Sequence, residues 1–123
     1  MAQTYKRIEH TLGLEPTEYF IVKDASGVAI DIEGEGWTVE VKVRRTSSSP
    51  VLETFSTANG KVELSTTTTG RFDFTGFGGS PMPFGDITFR GLETEFIYDI
   101  QVTDSTGDIH DTWYGEWVVR NNI

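Results

Sequence analysis

The fold of this chain is decided by the stretch WTVEVKVRR, residues 37–45. Apolar side chains occupy every second position from Trp37 to Val43, and polar side chains occupy the positions between them. Successive residues of a strand point to opposite faces of a sheet, so this period of two predicts a strand with one face in the core and the other in water. The stretch FIYDIQVTD, residues 96–104, has the same alternation and predicts a second strand of this kind.

Shorter runs of the same character occupy much of the remaining chain. We predict further strands at residues 4–12, 18–23, 28–32, 51–56, 61–66, 71–75, 86–89 and 112–119. Turn residues separate these runs, as from Asp24 to Gly27 and from Ala58 to Gly60. Short strands with turns about every ten residues are typical of an antiparallel β-sandwich with immunoglobulin-like topology. A small β-barrel is the alternative.

One sequence pattern occurs twice, as VKDASGVAIDIEGEGWTV at residues 22–39 and as VTDSTGDIHDTWYGEWVV at residues 102–119. In each copy an aspartate, Asp24 or Asp104, precedes a glycine, Gly27 or Gly107, by three positions. An aspartate at this place can accept hydrogen bonds from the amides of a tight turn, and the glycine can take the positive φ that closes it. We therefore interpret the repeat as two structural hairpins rather than as a ligand site used twice.

Length and charge limit the number of domains and the class of partner. The chain has 123 residues and a mass of 13.7 kDa, which suits one core and leaves no room for a second domain. We predict a single β-sandwich domain over residues 1–123, with short arms at residues 1–7 and 120–123. A formal net charge of −9 repels nucleic acid, and no apolar run is long enough to span a membrane. Neither nucleic acid nor a membrane is therefore expected as a partner.

Little in the sequence points to catalysis or to a cofactor. The chain has no cysteine and two histidines, His10 and His110, and neither histidine lies beside a nucleophile motif. The acidic run DSTGDIHD, residues 104–111, is the strongest metal candidate, but Gly107 falls at its fourth position, whereas an EF-hand calcium loop requires glycine at the sixth. We predict that the protein is not an enzyme and has no catalytic, cofactor-binding or metal-binding residues, while a cation at this hairpin stays open.

The stretch GFGGSPMPFG, residues 76–85, places three large apolar side chains among small residues in an acidic protein. Such a loop suits a protein-contact surface, and it suits equally a cap that folds back over one end of the core. We predict that protein contacts are made by this loop and by the two arms, through Phe77, Met82, Phe84, Tyr5, Arg120 and Ile123.

Three aromatic residues lie close together near the end of the chain, Trp113, Tyr114 and Trp117. Aromatic rings can stack on sugars, so a carbohydrate-binding adhesion module is a function of another class that these residues allow. On a strand, Trp113 and Trp117 share one face and Tyr114 takes the other, so at most two rings can line one platform. Core packing is the better interpretation of Trp117, which leaves Trp113 or Tyr114 to contact a glycan.

The order of motifs along the chain resembles that of small structural domains from tailed bacteriophages. At the start, Thr-Tyr-Lys precedes Asp-x-Ser-Gly and then Gly-Trp-Thr-Val-x-Val-x-Val-Arg, residues 36–44. At the end, Tyr-Asp-Ile-Gln-Val-Thr-Asp-Ser-x-Gly-Asp-Ile, residues 98–109, is followed by Tyr-Gly-Glu-Trp-Val-Val, residues 114–119. The pattern is similar to the N-terminal immunoglobulin-like domain of phage baseplate upper proteins and to related single-domain phage structural proteins.

This resemblance implies a virion component without catalysis, held in place by other phage virion proteins. It implies a symmetric homo-oligomer, or docking on a symmetric assembly. The tail, baseplate or fibre-adaptor region is the position that the resemblance favours, and capsid decoration as a cement protein is the alternative. The protein is then expected in the virion, after synthesis in the cytoplasm of the bacterial host. The resemblance brings no active site with it.

Overall fold

The computed structural model describes residues 2–11, 14, 16, 18–75 and 93–120. These residues form strands, turns and bends, and none of them is helical. The strands are β1 (Ala2–Tyr5), β2 (Ile8–Thr11), β3 (Tyr19–Ile21), β4 (Thr38–Arg44), β5 (Val51–Ser56), β6 (Val62–Leu64), β7 (Arg71–Phe74), β8 (Glu93–Thr103) and β9 (Ile109–Arg120). The alternating stretch at residues 37–45 forms β4, and the second alternating stretch belongs to the longer β8.

The strands form two sheets that enclose one hydrophobic core, as a sandwich. The large sheet has the order β1-β9-β8-β4-β5, with β2 also paired to β9, and the small sheet has the order β3-β7-β6. A β9-β8-β4-β5 layer that faces a β3-β7-β6 layer corresponds to an immunoglobulin-like sandwich. The predicted fold class is therefore confirmed, and the alternative of a small closed barrel is wrong.

The N-terminal segment departs from the antiparallel prediction. Both β1 and β2 run parallel to β9, whereas the other described strand pairs are antiparallel. We expected an arm at residues 1–7 and one strand at residues 4–12. The structure instead has two strands, β1 and β2, separated by Lys6 and Arg7. The segment lies along the edge of β9 from Asp111 to Arg120 and runs in the same direction as β9.

Two further predicted strands, at residues 28–32 and 86–89, are not among the strands of the structure's described residues. Residues 28–32 form no strand, and a single bridge joins Lys23 to Ala29. This segment connects the small sheet to the large sheet, and its Ile30 and Ile32 pack against the core cluster without a ladder of strand hydrogen bonds. Apolar side chains are thus buried here by a segment that forms no strand. The predicted strand at residues 86–89 lies outside the described residues.

The core between the sheets is built around aromatic side chains. Trp117 is fully buried, and its ring centroid lies 4.9 Å from that of Phe74. Phe20 stacks on Phe72 at 5.1 Å between centroids, and Trp113 meets the Phe20 ring edge-on at 5.3 Å. Burial of one large apolar side chain contributes roughly 1.5–3 kcal/mol. Because these rings come from both sheets, their packing holds the two layers together.

The two repeated hairpins have the predicted turn geometry. Asp24 Oδ1 accepts hydrogen bonds from the amides two and four residues further on, at 2.8 and 3.0 Å, and Gly27 has a φ of 82°. Asp104 Oδ1 accepts the equivalent bonds at 2.9 and 3.1 Å, and Gly107 has a φ of 95°. The interpretation of the repeat as two structural hairpins is therefore supported by matching contacts in both copies.

Candidate protein-contact surface

Two of the predicted contact residues lie in the described part of the chain. Tyr5 is exposed on β1, and Arg120 is exposed at the end of β9. Outside the described residues lie Phe77, Met82, Phe84 and Ile123. Tyr5 belongs to a larger surface on the large sheet, whereas Arg120 forms ion pairs at one end of that sheet.

Tyr5 and Tyr114 form an exposed aromatic pair on the large sheet. They are direct neighbours in the β1–β9 register, and their ring centroids lie 5.7 Å apart in an edge-to-face arrangement. Tyr5 is 51% exposed and Tyr114 is 43% exposed. The Tyr5 hydroxyl donates a hydrogen bond to the Glu116 carboxylate, and this bond raises the pKa of Tyr5 above its usual value. The pair therefore presents two restrained rings with a polar rim.

Charged side chains continue from this pair across the sheet. Asp99 pairs with Tyr114 in the β8–β9 register, and Lys42 pairs with Asp99 in the β4–β8 register. Residues that are opposite one another on neighbouring strands share a face, so these side chains lie on the side away from the core. Arg44 Nη1 donates a hydrogen bond to Asp99 Oδ2 at 3.0 Å. We call this surface the outer face, and we define it by Tyr5, Tyr114, Glu116, Asp99, Arg44 and Lys42.

The charged side of the outer face forms a shallow concavity of about 330 Å³. Its lining includes Lys42, Arg44, Asp99, Gln101 and Thr112. Both cations have an acidic neighbour, since Lys42 Nζ lies 3.5 Å from Glu40 Oε1 and Arg44 Nη1 lies 3.0 Å from Asp99 Oδ2. Tyrosine and arginine are enriched in protein interfaces, whereas lysine and acidic residues are depleted. Charges of both signs favour one orientation of a partner. The outer face therefore offers exposed rings for contact and charges for orientation.

Arg120 fastens the ends of three strands. Its Nη2 lies 2.9 Å from Glu9 Oε1 on β2, and its Nε lies 3.2 Å from Glu93 Oε2 on β8. All three side chains are largely exposed, so water and salt screen both ion pairs, and each contributes at most about 1 kcal/mol. Arg120 thus has a local structural function, and its use in a contact with another protein stays a prediction.

The glycan hypothesis loses one of its two candidate residues. Trp113 is only 8% exposed and packs against core phenylalanines. Because β9 directs this ring inward together with Trp117, Trp113 has little free surface for stacking on a sugar. Tyr114 points outward, but Tyr5 meets it with an angle of 69° between the ring planes. The two exposed rings therefore do not form a flat platform.

The acidic hairpin at residues 104–111 uses its polar side chains locally. The Thr106 hydroxyl donates to Asp104 Oδ1 at 2.6 Å, and this bond, with bonds from the turn amides, lowers the pKa of Asp104. His110 packs on Trp37 at 4.9 Å between centroids, and burial raises the pKa of Asp111. Among the residues that the structure describes, no three His, Cys, Asp or Glu side chains are grouped to hold a metal ion.

A scan against protein-family models found no matching family, and searches of curated proteins and of solved structures found no match. In the described part of the chain, no helix is long and apolar enough to cross a membrane. Function is therefore inferred from the outer face and from the order of motifs along the chain.

Sequence reasoning finds Tyr5 but not the surface to which it belongs. In the sequence, Lys42 and Arg44 occupy the water-facing positions of an alternating strand. Contact with solvent is enough to explain charged residues at such positions. The alternation is the sequence signal that could have indicated the outer face, because the polar rows of two neighbouring strands must share one face of the sheet. The contact between Tyr5 and Tyr114 has no comparable signal, since it depends on the parallel placement of β1 beside β9.

Proposed function

We propose that this chain is a non-catalytic structural protein of a tailed-bacteriophage virion, assembled in the tail, baseplate or fibre-adaptor region. The order of motifs supports a phage particle, because it resembles that of immunoglobulin-like domains in baseplate upper proteins. Its partners are then other virion proteins on a symmetric assembly. The outer face is the surface that docks on them.

The observation that carries this proposal is the composition of the outer face. Tyr5 and Tyr114 are large rings with few rotatable bonds, so they offer contact area at a small cost in side-chain entropy. Arg44 and Asp99 place opposite charges 3.0 Å apart, with Lys42 beside them in the sheet register. A partner that matches both the rings and the charges is held in one orientation.

The contacts of the carboxylates on this face favour a structural function over catalysis. A carboxyl group that acts as a general acid or base must be able to exchange a proton with a substrate. On the outer face, Glu116 accepts a hydrogen bond from Tyr5, and Asp99 accepts one from Arg44. These bonds hold the two carboxylates in place and so fix the shape of the surface.

The protein content of purified particles tests the proposal. Particles from a bacterial culture that produces this chain are purified on a density gradient, and the chain is quantified by mass spectrometry against the major capsid protein. We expect a fixed copy number that stays with the tails after heads and tails are separated. Recovery with the heads identifies capsid decoration instead, and absence from the particles contradicts a virion function.

A matched pair of variants tests the outer face within the same experiment. Tyr5→Ser combined with Tyr114→Ser removes both rings, and we expect a folded protein that no longer joins the particle. Val28→Ser removes an exposed apolar side chain, 61% exposed, from the hairpin at residues 24–28. We expect this control variant to assemble normally. Normal assembly of the double variant excludes the outer face as the docking surface.

The carbohydrate-binding alternative retains one supporting observation, the exposed ring of Tyr114. It expects binding of the purified protein to a glycan array, with loss of binding in Tyr114→Ser. Binding to no glycan on the array removes this alternative.

A further inference from the structure

A groove runs along one side of the sandwich, between the edge strands β1 and β3. Its volume is about 480 Å³, and its lining includes Thr4 and Lys6 from one side and Ile21 and Lys23 from the other. The ring of Trp113, which is almost buried between the sheets, also lines it. The groove is thus a gap between two sheet edges, with an apolar base.

The backbone of β3 is open towards this groove. In the described chain, β3 pairs as a strand with β7 alone. The Val22 amide donates to the Gly70 carbonyl at 2.8 Å, so strand alternation directs the amide and carbonyl of Ile21 to the opposite side. The Tyr19 carbonyl shares that direction and accepts a hydrogen bond from Lys6 Nζ at 2.5 Å. A side-chain donor therefore already occupies one end of this edge.

The edge of the large sheet at β5 is closed by comparison. The Asn59 side chain donates to the Thr54 carbonyl at 2.8 Å and accepts from the Ser56 amide at 2.9 Å. These backbone groups point away from β4, so Asn59 takes the positions that an additional strand would use. Native proteins protect edge strands from unwanted pairing by local features of this kind. The edge of β3 from Ile21 onward has no equivalent side chain among the described residues.

The groove is basic although the protein is acidic. Lys6 Nζ lies 4.6 Å from the centroid of the Phe20 ring, which restrains this ammonium group at one end of the groove. Lys23 is exposed four positions beyond Tyr19 along the same edge. One carboxylate, that of Asp111, also lines the groove, in a chain with a net charge of −9. The local field therefore favours an acidic ligand.

We propose that the groove between β1 and β3 binds an extended acidic segment of a partner protein, which adds to the edge of β3 as a strand. This inference rests on the proposed structural function and names the kind of partner segment that the domain takes. Backbone hydrogen bonds to Ile21 supply affinity, as in other cases of strand addition. Acidic side chains near the two ends of the segment reach Lys6 and Lys23, and an apolar side chain between them covers Trp113.

A peptide titration of the purified protein, followed by NMR, tests this inference. The probe is a short blocked peptide with glutamates near both ends and valines and threonines between them. We expect saturable shifts of the Ile21 and Lys23 amide signals. A peptide with lysines in place of the glutamates should shift neither signal. An acidic peptide N-methylated at alternate amides, which cannot pair as a strand, should bind at least about tenfold more weakly.

Two charge-reversal variants make the test specific for the groove. Lys23→Glu should weaken binding of the acidic peptide about tenfold, because one ion pair is replaced by a repulsion. Lys42→Glu makes the same change of charge on the outer face and should alter the affinity less than about twofold. Lys23 and Lys42 are both accessible side chains, so both variants are expected to fold.

Four results overturn the inference: no saturable shift with the acidic peptide, equal binding of the N-methylated peptide, weakening by Lys42→Glu instead of Lys23→Glu, or the same shifts on self-association without peptide. The last result identifies a second copy of this chain as the occupant. The titration needs no particle, so it is independent of the test of the proposed function. Absence of the chain from particles, together with normal peptide binding, contradicts the proposed function alone.

Discussion

The backbone carbonyl of Lys6 lies over Gly115, in the space that a β-carbon would need. A β-carbon at Gly115 would approach the Lys6 carbonyl carbon to 3.0 Å and the carbonyl oxygen more closely still. The same carbonyl accepts a hydrogen bond from the Tyr98 hydroxyl, and the Lys6 amide donates to the Tyr114 carbonyl at 2.9 Å. The chain between β1 and β2 is therefore anchored where β9 has no side chain.

Replacement of Gly115 by alanine should destabilise the protein by about 1–3 kcal/mol, because the added methyl group forces two backbone segments apart. Chemical denaturation measures this loss of unfolding free energy, and hydrogen exchange should show β1 losing protection first. Gly36→Ala serves as the control, because a β-carbon at Gly36 meets no atom within 4 Å and only its φ of 70° is unfavourable. Equal stability of Gly115→Ala and the wild-type protein would contradict the close approach of Lys6.

Removal of the Tyr98 hydroxyl should cost about 1–3 kcal/mol at neutral pH, because the Lys6 carbonyl then loses a buried hydrogen-bond donor. Tyr98→Phe keeps the ring, which is 3% exposed, and so leaves most of the core packing unchanged. Tyr114→Phe, which removes a hydroxyl from an exposed ring, is the matched control and should cost much less. Urea denaturation of the three proteins measures the difference. A loss in Tyr98→Phe no larger than in the control would exclude a stabilising bond to Lys6.

The same residue should make stability depend on alkaline pH. Burial raises the pKa of Tyr98 above its usual value, and the nearby Tyr5 and Glu116 raise it further. A tyrosine in the unfolded chain has a pKa of about 10. The stabilising contribution is therefore complete below about pH 10 and is lost as the pH rises above that value. The wild-type protein should lose unfolding free energy more steeply above pH 10 than Tyr98→Phe, and parallel pH profiles would show that Tyr98 is not the group responsible.

Adjacent aromatic residues on β9 should respond to substitution in opposite ways. Trp113→Ala removes a ring packed in the core and should cost about 3–5 kcal/mol. Tyr114→Ser removes a ring from the outer face and should change stability by less than about 1 kcal/mol. Thermal or chemical denaturation distinguishes the two, and a large loss in Tyr114→Ser would mean that this ring is structural rather than available for contact.

The strands with one buried face were predictable because their alternation is set by burial alone. In β4, Val39, Val41 and Val43 are buried, while Thr38 and Glu40 between them are exposed, as the period of two requires. Periodicity says less about residues 28–32, where apolar side chains also recur. There Val28 is 61% exposed and Ile32 is buried, because the chain crosses between the sheets at this point. A local pattern does not record such a crossing.

The parallel N-terminal strands and the outer face were beyond prediction for a related reason. Tyr5 and Tyr114 meet only because β1 pairs with β9, a contact between the two ends of the chain. One residue does carry a signal: glycine within a strand often marks the close approach of another backbone segment, and Gly115 lies under Lys6. That signal indicates a close approach but does not identify the segment that approaches.

The side chain of Asn59 should block strand pairing at the free edge of β5. Asn59→Ala frees the Thr54 carbonyl and the Ser56 amide, and we expect concentration-dependent association through this edge, measured by light scattering. The lost hydrogen bonds should also reduce stability by about 1 kcal/mol. Asn59→Asp keeps the acceptor for the Ser56 amide and loses the donor to Thr54, so an intermediate effect is expected. If Asn59→Ala stays strictly monomeric at high concentration, the Asn59 side chain is not what prevents pairing at the β5 edge.

The central claim is that the outer face docks on the virion, and solvent accessibility in the assembled particle tests it most directly. Hydroxyl-radical footprinting compares the oxidation of Tyr5 and Tyr114 in the free protein with their oxidation in purified particles. We predict strong protection of both tyrosines in the particle, with the exposed Val28 oxidised equally in both states. Equal oxidation of Tyr114 in the free protein and in particles that contain the chain would contradict the claim.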